Sequence, residues 1–302
     1  MPSALLAALL VAAAAQQPVF RVDVRLVRIL ATVKDPAGGL VGSLNKEDFT
    51  VYDNGVPQEL AVFERHTELP LSIALLVDTS LSTAKELRYE LDSVDRFLEA
   101  LFSEGHPEDA IALYSFSYDV TLVASFTRNR ARLRAGLKQL RPEGGTSLYD
   151  AIYLAAQDLE TREGRRVMIL VTDGADTTSA KSFHQALEAA HRADAVIYAI
   201  LVVPISSDAG RHLAGENALE TLAAGTGGRV FRPEIGSALD RAFAEILRDL
   251  RTQYLLAYYP KNVPPSRDRF HRLEVKVSQP NLRVLARSGY YEESEPAPRR
   301  RR

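Results

Sequence analysis

Uninterrupted apolar runs constrain the fold of this chain more than any other feature of its sequence. Residues 73–77 and 167–171 contain no polar side chain, and residues 111–116 are interrupted only by a serine. A strand with one face in solvent alternates apolar and polar residues, whereas a strand covered on both faces does not. Amphipathic stretches with helical spacing lie between these runs, for example from Leu87 to Leu101. The alternation predicts an α/β fold with a doubly wound, mostly parallel sheet and helices on both faces.

Weaker patterns complete this α/β domain, which we place at residues 67–253. Residues 120–126 predict an antiparallel edge strand, and residues 195–203 predict another buried strand. Residues 219–224 predict a short helix, and residues 235–250 predict a last amphipathic helix.

The two flanks of this domain have strand patterns instead. In the first flank, residues 16–66, an apolar run is followed by the strong hairpin signal Asp53-Asn54-Gly55. In the second flank, residues 254–291, apolar residues alternate with charged ones around Val275. Neither flank has enough strands for a core of its own. We therefore expect the flanks to pair into one small β-sandwich, with the α/β domain inserted between them.

The two ends of the chain have distinctive compositions. Residues 1–15 are almost all small or apolar, and Ala13 and Ala15 form a small-x-small cleavage pattern. They predict an export signal and therefore a secreted or periplasmic bacterial protein. Residues 292–302 close in four arginines and predict a disordered basic tail.

Composition excludes several classes of function. The chain has no cysteine, which excludes disulfides, thiolate metal sites and cysteine nucleophiles. A net charge of −2 gives no overall basic field that would indicate nucleic acid as a partner. The six histidines are scattered, and no phosphate-binding loop or zinc-protease motif is present.

Polar side chains follow the apolar strands, at the points where these strands end. Asp78, Ser80 and Ser82 follow the first run, Asp173 follows the last, and Thr146 precedes a predicted helix. In open α/β sheets, ligands bind at the carboxyl ends of strands. The set offers two carboxylates and three hydroxyls, and hard cations such as Mg²⁺ prefer oxygen ligands. Because the set carries little negative charge, a bound cation would attract a further carboxylate from outside.

This pattern resembles the metal-ion-dependent adhesion site of von Willebrand factor type A domains. Asp-x-Ser-x-Ser, a threonine and an aspartate occur in the same order and on the corresponding elements, and the resemblance extends over residues 69–252. It implies that Ser80, Ser82 and Thr146 touch Mg²⁺ or Mn²⁺, and that Asp78 and Asp173 act directly or through water. A Glu or Asp of a partner protein would complete the coordination.

The resemblance has one departure and one extension. Leu81 stands where the family usually has glycine between the two serines, and its side chain adds bulk to the rim of the site. Residues 27–33, 48–55 and 287–290 are similar to the flanks of exported bacterial proteins, abundant in acidobacteria, that carry a central type A domain.

Each candidate ligand also has a purely structural interpretation. Ser80 and Ser82, or Thr146, could cap the helix that follows. Asp173 could orient a turn with Gly174, and Asp176 either accepts a hydrogen bond from a group that binds the metal or is a solvated loop residue. Only the combination of all three segments favours a metal site.

Binding is favoured over catalysis. An aspartic protease needs a second Asp-Thr-Gly loop, which the sequence lacks. A phosphatase-like hydrolase needs a carboxylate two residues after Asp78, where Ser80 stands. We therefore expect a metal-dependent protein-binding or adhesion module that is not an enzyme. The alternatives are a scaffold component of an exported or cell-envelope assembly and, less favoured, a phosphatase-like hydrolase.

Overall fold

A computed structural model describes residues 26–65, 68–202, 213–234 and 236–292. The expected export signal and almost all of the basic tail lie outside these residues. In chain order, the helices and strands are β1 Val27–Lys34, β2 Phe49–Asp53, β3 Val56–Gln58, β4 Leu60–Glu64, β5 Leu71–Asp78, α1 Leu87–Glu104, β6 Ala110–Phe116, β7 Val120–Thr127, α2 Arg130–Leu137, α3 Leu148–Glu160, β8 Arg165–Thr172, α4 Phe183–Arg192, β9 Ala195–Leu201, α5 Leu213–Thr226, β10 Val230–Phe231, α6 Ser237–Arg251, β11 Tyr254–Tyr258, β12 Phe270–Val277, β13 Arg283–Leu285 and β14 Gly289–Tyr291.

The central sheet contains the apolar runs. Its strand order among the described residues is β10-β9-β8-β5-β6-β7, and the pairs are parallel except for β6 with β7. Alternate side chains of β5 face opposite helical layers. Ile73 and Leu75 pack with α1, α2 and α6, whereas Ala74 and Leu76 pack with α3, α4 and α5. Burial on both faces is the reason that these strands contain no alternation.

The two flanks build two further sheets, with strand orders β13-β1-β11-β4 and β14-β12-β2-β3. All pairs in them are antiparallel. Strands from both ends of the chain pair directly, as in Ile29 with Leu256 and Val51 with Val275. One hydrophobic core contains residues of both sheets. The expected fold class, an α/β domain inserted between paired β flanks, is confirmed.

A buried carboxylate links the two flanks inside this core. Asp53 at the end of β2 is fully buried. Its Oδ2 accepts hydrogen bonds from the hydroxyls of Tyr258 at 2.7 Å and Tyr290 at 2.9 Å, and its Oδ1 lies 2.9 Å from Nδ1 of His271. Burial and the bond to Asp53 raise the pKa of Tyr258 well above its usual range. Three donors from the second flank thus compensate the buried charge of a residue in the first flank.

The α/β domain and the flanks meet at the end of α4. The ring of His191 stacks on Phe270 with centroids 5.3 Å apart, and its Nε2 lies 3.1 Å from the carbonyl oxygen of Gly225. Beside it, Arg287 forms an ion pair with Asp194 at 2.9 Å. Burial, and secondarily the nearby Arg287, lower the pKa of His191 to about 4.

The stability of the protein should therefore depend on pH through His191. In the unfolded chain the histidine takes up a proton as the pH falls below 6.5, but in the folded protein it stays neutral down to about pH 4. This residue consequently lowers the free energy of unfolding as the pH falls from 6.5 to 4, by at most about 3 kcal/mol. Above pH 6.5 it has no effect.

The measurement is urea unfolding of the wild type and of His191→Gln at pH 4.5 and 7.5. Glutamine keeps a donor for Gly225 but does not titrate in this range, so the wild type should lose more stability on acidification than the variant. Equal losses would show that His191 does not contribute.

One helix differs from its expected extent. The sequence predicts a helix over residues 219–224, whereas α5 begins at Leu213 and ends at Thr226. Its first turn buries Gly215 and Glu216 instead of large apolar side chains, so apolar periodicity could not reveal it. The expected edge strand at residues 120–126 is confirmed as β7. In the part of the chain that the structure describes, no helix has the length and apolar character needed to cross a bilayer.

Candidate metal site

Backbone hydrogen bonds bring the three predicted ligand segments together at the carboxyl edge of the central sheet. Asp78 ends β5, and Asp173 directly follows β8. The amide of Glu143 donates to the carbonyl of Thr79 at 2.8 Å, which joins the loop before α3 to the loop after β5. The amide of Thr177 donates to the carbonyl of Thr146 at 2.8 Å, which joins the same loop to the one after β8.

Asp78 is the most buried of the candidate ligands. Its side chain is held on both sides, because Oδ1 accepts from the amide of Ser80 at 2.8 Å and Oδ2 accepts from the hydroxyl of Thr172 at 2.6 Å. Burial raises the pKa of Asp78 to about 6, the two hydrogen-bonding neighbours counteract this, and the charge of Asp173 adds to it. A cation placed here would relieve the cost of this buried charge.

The two serines lie side by side in the loop before α1. Their Oγ atoms are 2.9 Å apart, and the backbone of Ser80 is fixed by a bond from the hydroxyl of Thr83 to its carbonyl at 3.1 Å. Ser80 is buried and Ser82 exposed. Helix α1 begins only at Leu87, after Glu86. The alternative that these serines cap the helix is therefore wrong, and two adjacent hydroxyl oxygens face the site without a capping role.

A hydrogen bond holds the backbone of Thr146, and the side chain of the neighbouring Ser147 holds the loop. The amide of Thr146 donates to the hydroxyl of Thr177 at 3.0 Å. The residue that immediately precedes α3 is Ser147, whose Oγ donates to the carbonyl of Tyr118 at 2.7 Å and makes no capping bond. Thr146 therefore does not cap α3. The turn before it needs the left-handed backbone of Gly145, with φ of +81°, packed against Tyr118.

Asp173 does orient its turn, as its structural interpretation expects. Its Oδ1 accepts from the amide of Ala175 at 3.0 Å, and its side chain is nearly buried. This bond occupies one of the two carboxylate oxygens. Asp176 instead accepts bonds from the amide of Tyr149 at 3.3 Å and from Ser179 at 2.5 Å, which places it in the loop structure.

The donor set fits a cation that is held mainly by hydroxyl and carboxylate oxygens. Among the described residues, no three Asp, Glu or His side chains converge to hold a metal by themselves. A site made of Asp78, Asp173 and hydroxyls does not require such a group. The buried charge of Asp78 and the adjacent serine hydroxyls provide the oxygen chemistry that Mg²⁺ or Mn²⁺ prefers.

Comparison with known proteins identifies the central domain. The family model of the von Willebrand factor type A domain matches residues 73–175, which run from the first apolar strand to the loop after β8. The chain contains a von Willebrand factor type A domain. No curated protein matches the chain.

Solved structures agree with the fold of this type A domain. The vWF domain of the type V pili tip protein Mfa5 from Porphyromonas gingivalis is 15% identical, with a TM-score of 0.50, and the match covers 60% of this chain and 95% of that one. The pilus adhesin SpaC from Lactobacillus rhamnosus GG, in its open conformation, is 10% identical, with a TM-score of 0.51. That match covers 86% of this chain and 47% of SpaC. At such identities the likeness concerns the fold alone.

Two residues of the type A domain near the site were not found from the sequence. Thr172 orients Asp78, as described above. Glu90 in α1 is buried, and neither of its carboxylate oxygens has a hydrogen-bond partner in the described structure. Burial, followed by the charges of Asp78, Glu86 and Asp173, raises the pKa of Glu90 well above its usual value. The helical spacing offered a signal for it, because Glu90 lies one turn before the buried Val94.

Proposed function

We propose that the type A domain binds a protein partner through one Mg²⁺ or Mn²⁺ ion held by Asp78, Ser80, Ser82, Thr146 and Asp173. The ion would supply a positively charged position at which a Glu or Asp side chain of the partner becomes the last ligand. The observation that carries this proposal is the convergence of the three segments at one edge of the sheet. The expected export signal adds that the partner is met outside the cytoplasm.

The carboxylates around the site support the proposal that partner binding requires the cation. Exposed Asp119 and Glu143 lie on the loops that surround Asp78 and Asp173. Without a cation this edge presents carboxylates to solvent, and a partner carboxylate would be repelled. With a divalent ion in place, the same edge attracts it.

Metal binding can be tested by calorimetric titration of Mg²⁺ and Mn²⁺ into the protein. Asp173→Ala removes a charged ligand and should weaken binding by more than about 100-fold, since even the loss of a residue that only hydrogen-bonds to a metal ligand costs about 10- to 100-fold. The matched control is Asp119→Ala, which removes an exposed carboxylate nearby and should change affinity only slightly. Equal weakening in the two variants would show that the cation is attracted by the overall negative charge of this edge and not by specific ligands.

Partner binding is tested by co-purification from an envelope extract in Mg²⁺ buffer and again in EDTA. Retention that disappears with EDTA and with Asp173→Ala, but not with Asp119→Ala, is the expected result. Retention of the partner that is unchanged by EDTA would instead support the scaffold alternative. Phosphoester turnover that is lost in Asp78→Asn would support a hydrolase.

A further inference from the structure

The most exposed large apolar side chains of the described chain lie around the candidate metal site. Tyr118 is 67% exposed, and Leu81 and Leu213 are each 65% exposed. The next are Tyr89 at 55% and Tyr259 at 47%. Single exposed apolar residues are common on protein surfaces, but here the three most exposed ones belong to segments that carry or contact the candidate ligands.

Each of the three is attached to a different segment of the site. Leu81 lies between Ser80 and Ser82. The amide of Tyr118 donates to the carbonyl of Gly144 at 2.9 Å, so the backbone of this residue is held beside the loop that carries Thr146.

The third residue reaches the site through a glycine contact. Leu213 is the first residue of α5, and Gly215 in the same turn packs directly against the backbone of Gly174, next to Asp173. A side chain at position 215 would collide with this backbone. The close approach therefore holds the first turn of α5, at whose start Leu213 lies, against the segment that carries Asp173. We call Leu81, Tyr118 and Leu213 the apolar rim.

An apolar rim around a charged centre has a defined use in recognition. Binding energy at interfaces is concentrated in a few central contacts, and neighbouring apolar contacts exclude water from them. A metal–carboxylate contact is stronger when water is excluded. The rim offers this shielding only if the partner has apolar side chains of its own beside the carboxylate.

We propose that the apolar rim selects a protein segment in which a single Asp or Glu is flanked on both sides by apolar residues. This inference rests on the proposed metal–carboxylate contact and specifies its partner. Charge complementarity favours a single acid, because Asp119 and Glu143 around the centre repel further carboxylates. Apolar residues on both sides of the acid would contact the rim and would add no charge for Asp119 and Glu143 to repel.

Two synthetic peptides provide the test: acetyl-Gly-Leu-Glu-Leu-Gly-amide and acetyl-Gly-Ser-Glu-Ser-Gly-amide. Their dissociation constants are measured by NMR titration with the full chain in Mg²⁺. The leucine peptide should bind about tenfold more tightly, from partial burial of two leucine side chains. In the triple variant Leu81→Ser, Tyr118→Ser, Leu213→Ser this preference should fall below about twofold, while calorimetry shows unchanged Mg²⁺ affinity.

The control variant is Leu154→Ser with Tyr259→Ser, which removes exposed apolar side chains from α3 and from the residue that follows β11. It should keep the full preference. Equal affinity of the wild type for both peptides, or loss of the preference in the control, would overturn the rim proposal and leave the metal contact intact. Failure of both peptides to bind in Mg²⁺ would overturn the metal–carboxylate contact itself. A wild-type dimer that dissociates in the triple variant would assign the rim to a second copy of the chain and contradict the proposed partner.

Discussion

Asp78→Asn should abolish Mg²⁺ binding and at the same time stabilise the metal-free protein. The pKa of Asp78 is about 6 in the folded protein and 3.8 in the unfolded chain. Above pH 6 the ionised side chain therefore costs about 3 kcal/mol of the free energy of unfolding. Asparagine has the same shape, keeps an acceptor for the amide of Ser80 and carries no charge, although its NH2 group replaces the oxygen that accepts from Thr172. The variant should be more stable at pH 7.5, by at most about 3 kcal/mol.

This gain should depend on pH in a defined direction. As the pH falls from 6 toward 3.8, Asp78 takes up a proton in the folded protein and its cost disappears, so wild type and variant should converge near pH 4. Urea unfolding in EDTA at pH 4 and pH 7.5 measures the difference. An Asp78→Asn variant that is less stable than the wild type at pH 7.5 would show that the buried charge is already compensated without a metal.

Asp249→Ala should be strongly destabilising. Asp249 in α6 is buried, and its two oxygens lie 2.9 Å from the ammonium of Lys34 and 2.9 Å from the guanidinium of Arg229. Lys34 ends β1, so the pair joins the last helix of the type A domain to the first strand of the flanks. Alanine leaves the nearly buried ammonium of Lys34 without its counter-charge. Removal of one partner of such a pair costs about 3–5 kcal/mol.

The same helix provides the matched control. Asp240 forms an ion pair with Arg96 at 2.9 Å, but the two side chains are 37% and 54% exposed. Because water screens this pair, Asp240→Ala should cost at most about 1 kcal/mol. Urea denaturation of both variants at pH 7 gives the comparison. Similar losses in the two would mean that burial does not set the strength of the Asp249 contacts.

The α/β order of this chain could be predicted from local patterns, because the apolar composition of each strand indicates that the strand is buried. Residues 73–77 and 167–171 are apolar throughout, and this alone places them inside a covered sheet. The candidate ligands were also visible locally, since the carboxyl end of a parallel strand lies at the ligand-binding edge of any such sheet. The identity and order of these polar residues indicated the type A domain.

The extent of α5 illustrates where local patterns fail. Its first turn is held by the contact of Gly215 with Gly174, not by an apolar stripe. A glycine buried against a distant backbone has no apolar signal in the sequence. For the same reason, the approach of the first turn of α5 to the segment that carries Asp173 could not be anticipated.

Tertiary structure alone decided which distant groups meet. Asp53 and Tyr258 are 205 residues apart, yet they share a hydrogen bond in the core of the flanks. Thr172 holds Asp78 across 94 residues. Sequence periodicity indicates whether a side chain is buried. It does not indicate which donor from a distant part of the chain lies next to that side chain in the folded protein. The sequence therefore determined the elements and the candidate ligands, whereas the partners of the buried charges, and the pKa values that follow from them, were decided only when the chain folded.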